Sequence, residues 1–139
     1  MVDQLRCKAG DVAGFSGAKG YWQIRISGKL YYAHRLAFFY MRGGWPANID
    51  HIDGDRCNNK WANLREASIQ QNAANMRKRL GTTSTLKGVS WMASKGRWAS
   101  HIRINGKSTY LGLFDDESSA HAAYVSAAGK EFGEFARAK

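Results

Sequence analysis

The sequence predicts an α+β fold in two parts, and three observations support this prediction. Residues 48–72 contain a strand end, a loop rich in Asn and Asp, a second short strand and a helix start. Residues 88–114 form three strand-like segments separated by turn residues. Acidic residues 115–117 then precede small apolar residues at helical spacing. We therefore expect a strand–loop–strand–helix unit followed by a three-stranded antiparallel sheet packed on one helix.

The composition indicates a negatively charged partner. The 139 residues include 21 Lys and Arg against 11 Asp and Glu, a formal net charge of +10. This excess favours nucleic acid first and a membrane surface second. No apolar run approaches the length of a bilayer span, and the first ten residues lack an apolar signal core. A cytoplasmic protein with no membrane partner is therefore expected.

The N-terminal third predicts a hairpin and a short helix. Residues 1–20 are Gly-rich and predict a loop that can include a short strand, with no assigned function, and residues 21–33 form a hairpin around a Ser-Gly turn. Residues 34–41 read as a helix with Leu36, Phe39 and Tyr40 facing inward. His34 is interpreted as a structural or phosphate-contacting residue, not as a catalytic base.

The next stretch places polar side chains around a strand end. Asp50 and His51 follow Ile49 at the end of a short strand, and residues 64–65 begin a second one. Three asparagines fill the loop between the strands: Asn58, Asn59 and Asn63. Ser68 and Gln71 have the spacing of a capping box, with Asn72 on the first turn of that helix. The helix carries an apolar stripe of Ile69, Ala73, Met76 and Leu80.

This stretch resembles the HNH endonucleases of the phage and homing type, whose core is a ββα-metal (His-Me finger) fold. The segments DHIDG, NN, NLR and QN occur in the family's order, and His51, Asn63 and Asn72 occupy its H, N and N positions. The resemblance implies a metal-dependent DNA endonuclease that acts in a bacterial or phage-infected cell. Cleavage of one strand or of both fits such a nuclease.

The resemblance also implies roles for individual residues. His51 would be the general base, and Asn63 would hold it in place through the loop backbone. Asp50 and Asn72 would bind one divalent metal ion. Oxygen ligands suit Mg²⁺, with Mn²⁺ as a substitute. The spacing of Asp53 and Asp55 faintly resembles a calcium loop, but the loop lacks the Glu expected at its twelfth position.

The two cysteines give no indication of a zinc site. Cys7 and Cys57 form no CxxC pair and are too few for a Cys-rich site. We interpret them as reduced thiols and expect no zinc.

A change of composition after residue 80 predicts a domain boundary. Residues 81–85 are small and polar, which favours a linker between an HNH domain at 1–80 and a second domain at 86–139. Three basic residues lie just before the linker, and they could equally well form the solvent-exposed end of a helix or contact DNA phosphates. They are Arg77, Lys78 and Arg79.

The second domain presents a basic sheet face. Its strands are expected at 88–93, 97–104 and 107–114, with Asn105-Gly106 as a type I′ turn. In the middle strand Trp98, Ser100, Ile102 and Ile104 alternate with Arg97, Ala99, His101 and Arg103. Residues 84–114 contain five Lys or Arg and no Asp or Glu. The helix should cover the apolar face and leave the basic face for DNA.

This region resembles the plant ethylene-response-factor (Apetala-two type) DNA-binding domain, which binds duplex DNA through its sheet. The shared landmarks are KGV at 87–89, RWA at 97–99, IR at 102–103, YLGLF at 110–114 and the helix that follows. The family's contact positions fall on Lys87, Ser90, Met92, His101, Arg103, Ser108 and Tyr110. Three of these, Ser90, Met92 and Ser108, depart from the plant pattern. The predicted DNA-binding set is completed by Lys95 and Arg97 in this domain and by Arg77, Lys78 and Arg79 before the linker.

Three functions remain open from the sequence: a DNA endonuclease, a non-catalytic DNA-binding regulator and an RNA-binding protein. The intact Asp50, His51, Asn63 and Asn72 favour the first. The near-identical hexamers at 24–29 and 102–107 are interpreted as unrelated hairpins. The alternative is that the first hairpin also lies on DNA through Arg25 and Lys29.

Overall fold

The structure is a computed structural model that describes residues 12–78 and 81–138. Cys7, Arg79 and Leu80, and the loop predicted for the first eleven residues, lie outside the described residues. The described chain divides into two compact units, one up to Glu66 and the other from Ala67. Both mix strands with helices, so the α+β class is confirmed. The functional boundary at residues 81–85 stays a prediction. No helix within 12–78 or 81–138 has the length and apolarity to cross a membrane.

The first unit contains two small antiparallel sheets and one helix. Strands β1 (Phe15–Ser16), β2 (Trp22–Ile26) and β3 (Lys29–Tyr32) pair in that order. Positive φ at Ser27 and Gly28, 47° and 80°, gives the tight turn between β2 and β3. Helix α1 (Ala33–Arg42) follows directly. Strands β4 (Ile49–His51) and β5 (Leu64–Glu66) form the second sheet, with a 3₁₀ turn at Trp61–Asn63 before β5.

Helix α1 buries a different face from the predicted one. Its buried residues are Ala33, His34 and Phe38, whereas Phe39 and Tyr40 are 45% and 87% exposed. The inward assignment of Phe39 and Tyr40 was therefore wrong. Aromatic side chains occur around much of this helix, so hydrophobicity alone does not select a face. The Phe38 ring packs edge-on against Trp61 with centroids 4.8 Å apart, and this contact fixes the rotation of the helix.

The second unit begins with helix α2 (Ile69–Asn75). Its capping box is present: Ser68 Oγ accepts from the Gln71 amide at 3.1 Å, and Gln71 Oε1 accepts from the Ser68 amide at 2.7 Å. The predicted apolar stripe was wrong in extent and burial. The helix ends at Asn75, Ile69 is 76% exposed, and the buried positions are Ala74 and Asn75.

The rest of the second unit is a three-stranded sheet with a helix on it. Strands β6 (Val89–Met92), β7 (Arg97–Ile104) and β8 (Lys107–Phe114) pair antiparallel in that order. Helix α3 (Glu117–Phe132) contacts all three strands, and a 3₁₀ turn (Gly133–Phe135) follows it. Positive φ at Asn105 and Gly106 confirms the predicted tight turn.

The core of this unit shows why the helix lies close to the sheet. Ala120 and Ala128 are 0% and 2% exposed, so small side chains do line the interface. Gly88 has φ +77°, and a Cβ there would lie 2.1 Å from the Tyr124 ring. Only glycine satisfies both the backbone angle and the close approach. The buried cluster is completed by Ala67, Ala74, Ile102, Phe132 and Phe135.

Candidate active site

The β4–β5 pair positions two functional side chains at the end of a strand. The register places Asp50 opposite Arg65 and His51 opposite Leu64. Asp50 and His51 are each 5% exposed, although both are polar. Burial of polar groups is costly unless they have partners, so their neighbours determine what this site can do.

Asp50 is held by an arginine on the neighbouring strand. Arg65 donates from Nε to Oδ2 of Asp50 at 2.9 Å, and its Nη2 lies 2.9 Å from the same oxygen. The two side chains are 13% and 6% exposed. Arg65 therefore orients the Asp50 carboxylate and balances its negative charge where solvent is largely excluded. Sequence reasoning did not single out Arg65. Its position in the strand opposite Asp50 was the signal that could have found it.

His51 lies between an asparagine and a cluster of aromatic rings. Its Nε2 is 3.1 Å from Asn59 Oδ1. The ring of His34 packs edge-on to it, with centroids 5.1 Å apart, and the Tyr21 ring centroid lies at 6.1 Å. These contacts restrict the imidazole to one orientation. Asn59 was assigned only to the polar loop in the sequence, so its contact with His51 is a new feature of the site.

His34 is a buried histidine next to the candidate base. It is 8% exposed, and its Nδ1 has no hydrogen-bond partner in the described part of the chain. Burial lowers the pKa of His34 to about 4, with further lowering from His51 and Arg35. His34 is thus neutral at neutral pH. Its ring packs on His51 and on Tyr32, whose centroid lies at 5.5 Å, which fits the predicted structural role.

The loop between β4 and β5 is organised by Asn63. Its side chain accepts from the Asp53 amide at 3.0 Å and donates to the Asn58 carbonyl at 2.8 Å and to Asp53 Oδ1 at 2.9 Å. Its carbonyl accepts from the Ile52 amide at 2.9 Å, directly after His51. Asn63 therefore braces the backbone on which His51 stands. Its part in catalysis stays a prediction.

The loop carboxylates serve the loop itself. Asp53 accepts from the Asp55 amide and from the Asn58 and Asn63 side chains, and Asp55 accepts from the Cys57 amide. Burial alone would raise the pKa of Asp53, but the hydrogen bonds from Asn58, Asp55 and Asn63 outweigh it and lower the pKa. Both carboxylates act as Asx-type caps, which accounts for them without a calcium ion.

The oxygen donors at this site suit a hard divalent metal ion that takes few ligands from the protein. Among the described residues, no group of three His, Cys, Asp or Glu side chains is arranged to hold a metal. The buried Asp50 carboxylate, oriented by Arg65, is a hard oxygen donor at the candidate site. Mg²⁺ commonly takes one or two carboxylates and completes its shell with water and phosphate oxygens. The residues present therefore fit an ion of this kind.

The remaining predicted ligand, Asn72, lies on the first turn of α2 in the second unit. Its amide donates to the Ser68 carbonyl at 3.0 Å, so the capped turn fixes its backbone. Its role as a ligand stays a prediction.

The predicted DNA-binding residues of the second unit divide into engaged and open groups. Lys87 Nζ donates to the carbonyls of Ala74 and of Met76, the latter at 2.7 Å, at the end of α2. Burial lowers the pKa of Lys87 to about 8, with a contribution from Arg137. Arg97 pairs with Asp115 at 2.8 Å. These two side chains have intramolecular roles that the sequence did not suggest.

The open group lies on the middle and last strands. Arg103 is exposed and donates to the Gly106 carbonyl at 3.0 Å. His101 packs against Tyr110, which is 52% exposed, with centroids 5.3 Å apart. Lys95 is exposed in the β6–β7 turn. Ala99, expected on this open face, is fully buried, and a register shift lies next to it between Ser100 and His101.

The basic residues that follow α2 lie beyond the end of the helix. Arg77 is exposed, and Lys78 Nζ donates to the Val89 carbonyl at 3.4 Å. The helix stops at Asn75, so neither residue sits in its last turn.

Comparison with known proteins bears on this site. Residues 31–74 match the HNH endonuclease family. Protein 3.8 of Escherichia phage T7 is 41% identical over 59 residues, which are 42% of this chain and 49% of that protein. The uncharacterized HNH endonuclease L560 of Acanthamoeba polyphaga mimivirus is 32% identical over 124 residues, or 88% of this chain and 64% of that protein.

The chain thus spans about half to two thirds of the length of the curated relatives it matches. No solved structure matches the chain. The family match includes Asp50, His51, Asn63, Arg65 and Asn72. Residues 31–74 therefore carry an HNH endonuclease domain, with a distant homologue among viral HNH endonucleases.

Proposed function

We propose that the chain is a metal-dependent DNA endonuclease that hydrolyses a phosphodiester bond with His51 as general base. The observation that supports this most is the pair Asp50–His51, buried together at the end of β4 inside the HNH match. Burial and a fixed orientation are what a general base needs, because proton transfer depends on geometry first.

The chain's own residues divide the work around the scissile phosphate. His51 takes the proton from the attacking water, and its Asn59 contact keeps Nε2 oriented. Asn63 braces the loop that follows His51. His34, neutral and packed edge-on to His51, excludes water from that side of the ring.

Asp50 would hold the divalent metal ion, with Mg²⁺ as the natural choice and Mn²⁺ as a substitute. The resemblance to HNH enzymes assigns Asn72 to the same ion. When bound, the ion would relieve charge on the phosphate and stabilise the leaving oxygen. Arg65 holds the Asp50 carboxylate in a fixed orientation through two nitrogens at 2.9 Å.

The C-terminal sheet would bind the duplex. This proposal is supported by Arg103, Lys95, His101 and Tyr110, which stay accessible on β7, β8 and the β6–β7 turn. A basic β-surface can enter the major groove. Double-stranded DNA is therefore the proposed substrate.

The decisive experiment incubates supercoiled plasmid with the protein and Mg²⁺, with and without chelator. Nicked or linear product that needs the metal supports the proposal, and the product form tells whether one strand or both are cut. His51→Ala should abolish cleavage and keep binding, whereas the control His121→Gln, a histidine on α3, should cleave normally. Duplex binding without cleavage under any condition would favour the regulator, and tighter binding of RNA would favour the RNA-binding protein.

A further inference from the structure

The first unit has an exposed aromatic and basic surface that the proposed chemistry does not use. Three rings lie nearly parallel: Trp45 stacks with Phe39 at 4.7 Å and 19°, and with Tyr31 at 6.1 Å and 17°. Phe39 and Trp45 are 45% and 46% exposed. We call these three residues the ring stack. Large apolar rings left half in solvent in this way mark an interaction surface.

Arginines accompany these rings at regular spacing. Arg35, Phe39 and Arg42 follow one another at i, i+4 and i+7 on α1, and so share one face of the helix. The Arg35 guanidinium lies 5.8 Å from the Trp45 ring centroid, and Arg42 lies 5.7 Å from that of Trp61. The result is two Arg–Trp pairs, each combining a cation with a flat ring.

A groove of about 540 Å³ is lined by both tryptophans of these pairs and by Arg42. Its lining includes Trp45, Pro46 and Trp61. Arg65, whose guanidinium holds Asp50, also lines it. The groove lining therefore includes both a ring of the stack, Trp45, and the arginine that holds Asp50.

The charge of the surrounding segment selects the occupant. Residues 12–49 contain Lys19, Arg25, Lys29, Arg35 and Arg42 and no Asp or Glu. Glu66 is the acidic residue among those that line the groove, and two arginines line it as well. A polyanion with planar groups matches both the charge and the rings. Paired bases in a duplex are already stacked on each other, so their faces are not available to protein rings.

We propose that the ring stack and its groove bind single-stranded DNA, with bases extending the stack from its exposed rings, which Trp45 holds parallel, and with phosphates pairing with Arg35 and Arg42. Surfaces that bind single strands combine these two features, and each base–aromatic contact is worth about 1–3 kcal/mol. The site would hold an unpaired strand next to the bond that is cut. It takes the choice of DNA as the polyanion from the proposed function, but it does not require cleavage.

The test measures binding of a fluorescent oligothymidylate and of a matched duplex to the full chain in chelator, so that no cleavage occurs. Trp45→Ala should weaken single-strand binding by about 5- to 150-fold, the factor that corresponds to one stacking contact. Its duplex binding should change little. Trp45→Phe, which keeps a flat ring, should bind like the wild type, and so should Tyr40→Ala, which removes an exposed α1 ring outside the stack.

Two further variants keep the test decisive if Trp45→Ala does not fold. Phe39→Ala should also weaken single-strand binding, and Arg35→Gln should reduce the slope of log K against log salt by about 0.7, the value for one phosphate contact on a single strand. Unchanged affinity in folded Trp45→Ala and Phe39→Ala would overturn the proposal. Equal loss of duplex and single-strand binding would overturn it as well, and so would tighter binding of the matching RNA strand.

The readout separates this inference from the nuclease proposal. Normal single-strand binding with no cleavage under any metal condition would refute the nuclease and leave the ring stack as a binding site. Normal cleavage with no effect of Trp45→Ala on strand binding would refute the ring stack alone.

Discussion

The guanidinium of Arg65 lies against the carboxylate of Asp50 across the β4–β5 pair, with Nε and Nη2 both 2.9 Å from Oδ2. The register of the two strands puts these residues directly opposite each other. The Asp50 side chain is 6% exposed and that of Arg65 is 13% exposed, so removal of either charge would leave its partner poorly compensated. The candidate active site is therefore held together by a contact between strands, not by the loop alone.

Arg65→Ala should destabilise the protein by about 3–5 kcal/mol, since it leaves a buried carboxylate without its main counter-ion. Urea unfolding measures the change. Arg65→Lys should cost less, because it keeps the charge but loses the two-nitrogen geometry. The matched control is Arg25→Ala, at an exposed position of β2, for which a change within about 0.5 kcal/mol is expected. A loss below about 1 kcal/mol for Arg65→Ala would show that the pair does not support the fold.

His34 should make stability depend on pH in a defined window. The pKa of His34 is about 4 in the folded protein, below the ordinary value of 6.5. As the pH falls from 6.5 towards 4, the unfolded chain takes up a proton that the folded chain refuses, so the free energy of unfolding decreases. Above pH 6.5 the residue is neutral in both states and contributes nothing.

Replacing His34 by Phe isolates this effect. The ring contacts with His51 and Tyr32 can persist, while the titrating group is gone. Unfolding by urea at a series of pH values should give a shallower decline for His34→Phe than for the wild type between pH 6.5 and 4. Parallel curves for the two proteins would mean that His34 titrates normally.

Local patterns in the sequence predicted the local structure well. The β4 strand end with Asp50 and His51, the Ser68–Gln71 capping box and the Asn105-Gly106 turn all depend on residues close in sequence. Capping and tight turns are set by neighbours a few residues away, so a pattern of a few residues is enough to specify them.

Contacts between distant residues account for what the sequence did not reveal. The face of α1 is chosen by Phe38 packing on Trp61, twenty-three positions later, so Phe39 looked equally suited to burial. For Lys87 the predicted DNA contact stays a prediction, but the sequence did not reveal that its ammonium group donates to the carbonyls of Ala74 and Met76 at the end of α2. In each case the deciding partner lies outside any local window.

The Mg²⁺ requirement should move when Asp50 is changed. Asp50→Asn removes the charge but keeps the shape, so the ion would be held more weakly and a higher Mg²⁺ concentration would be needed for half-maximal cleavage. Asn72→Ala, at the other position that the HNH resemblance assigns to the metal, is expected to act in the same direction. Asp55→Asn is the matched control, because Asp55 caps the Cys57 amide in the loop. An unchanged Mg²⁺ titration for both Asp50→Asn and Asn72→Ala would place the metal elsewhere.

Two basic residues of the second unit should affect duplex binding in different ways. Arg103 lies near the end of β7 with its side chain exposed, whereas Lys95 lies in the β6–β7 turn. Removal of a residue that reads a base edge weakens binding to the preferred site by about 1–3 kcal/mol and blurs the sequence preference at one position. Loss of a phosphate contact weakens binding to all DNA sequences alike and reduces the slope of log K against log salt by about 1.

We expect Arg103→Ala to behave as the base-reading kind and Lys95→Ala as the phosphate kind. Each variant is titrated against a selected site and a scrambled duplex in chelator, at several salt concentrations. The Arg103 guanidinium already donates to the Gly106 carbonyl, and this contact presents it from the hairpin at a fixed angle, as a specific contact requires. Arg97→Ala serves as the comparison, because its charge is paired with Asp115 and should matter less to DNA. If Arg103→Ala lost no more affinity for the selected site than for scrambled DNA, the sheet would bind phosphates only, and recognition of a sequence would have to come from another surface.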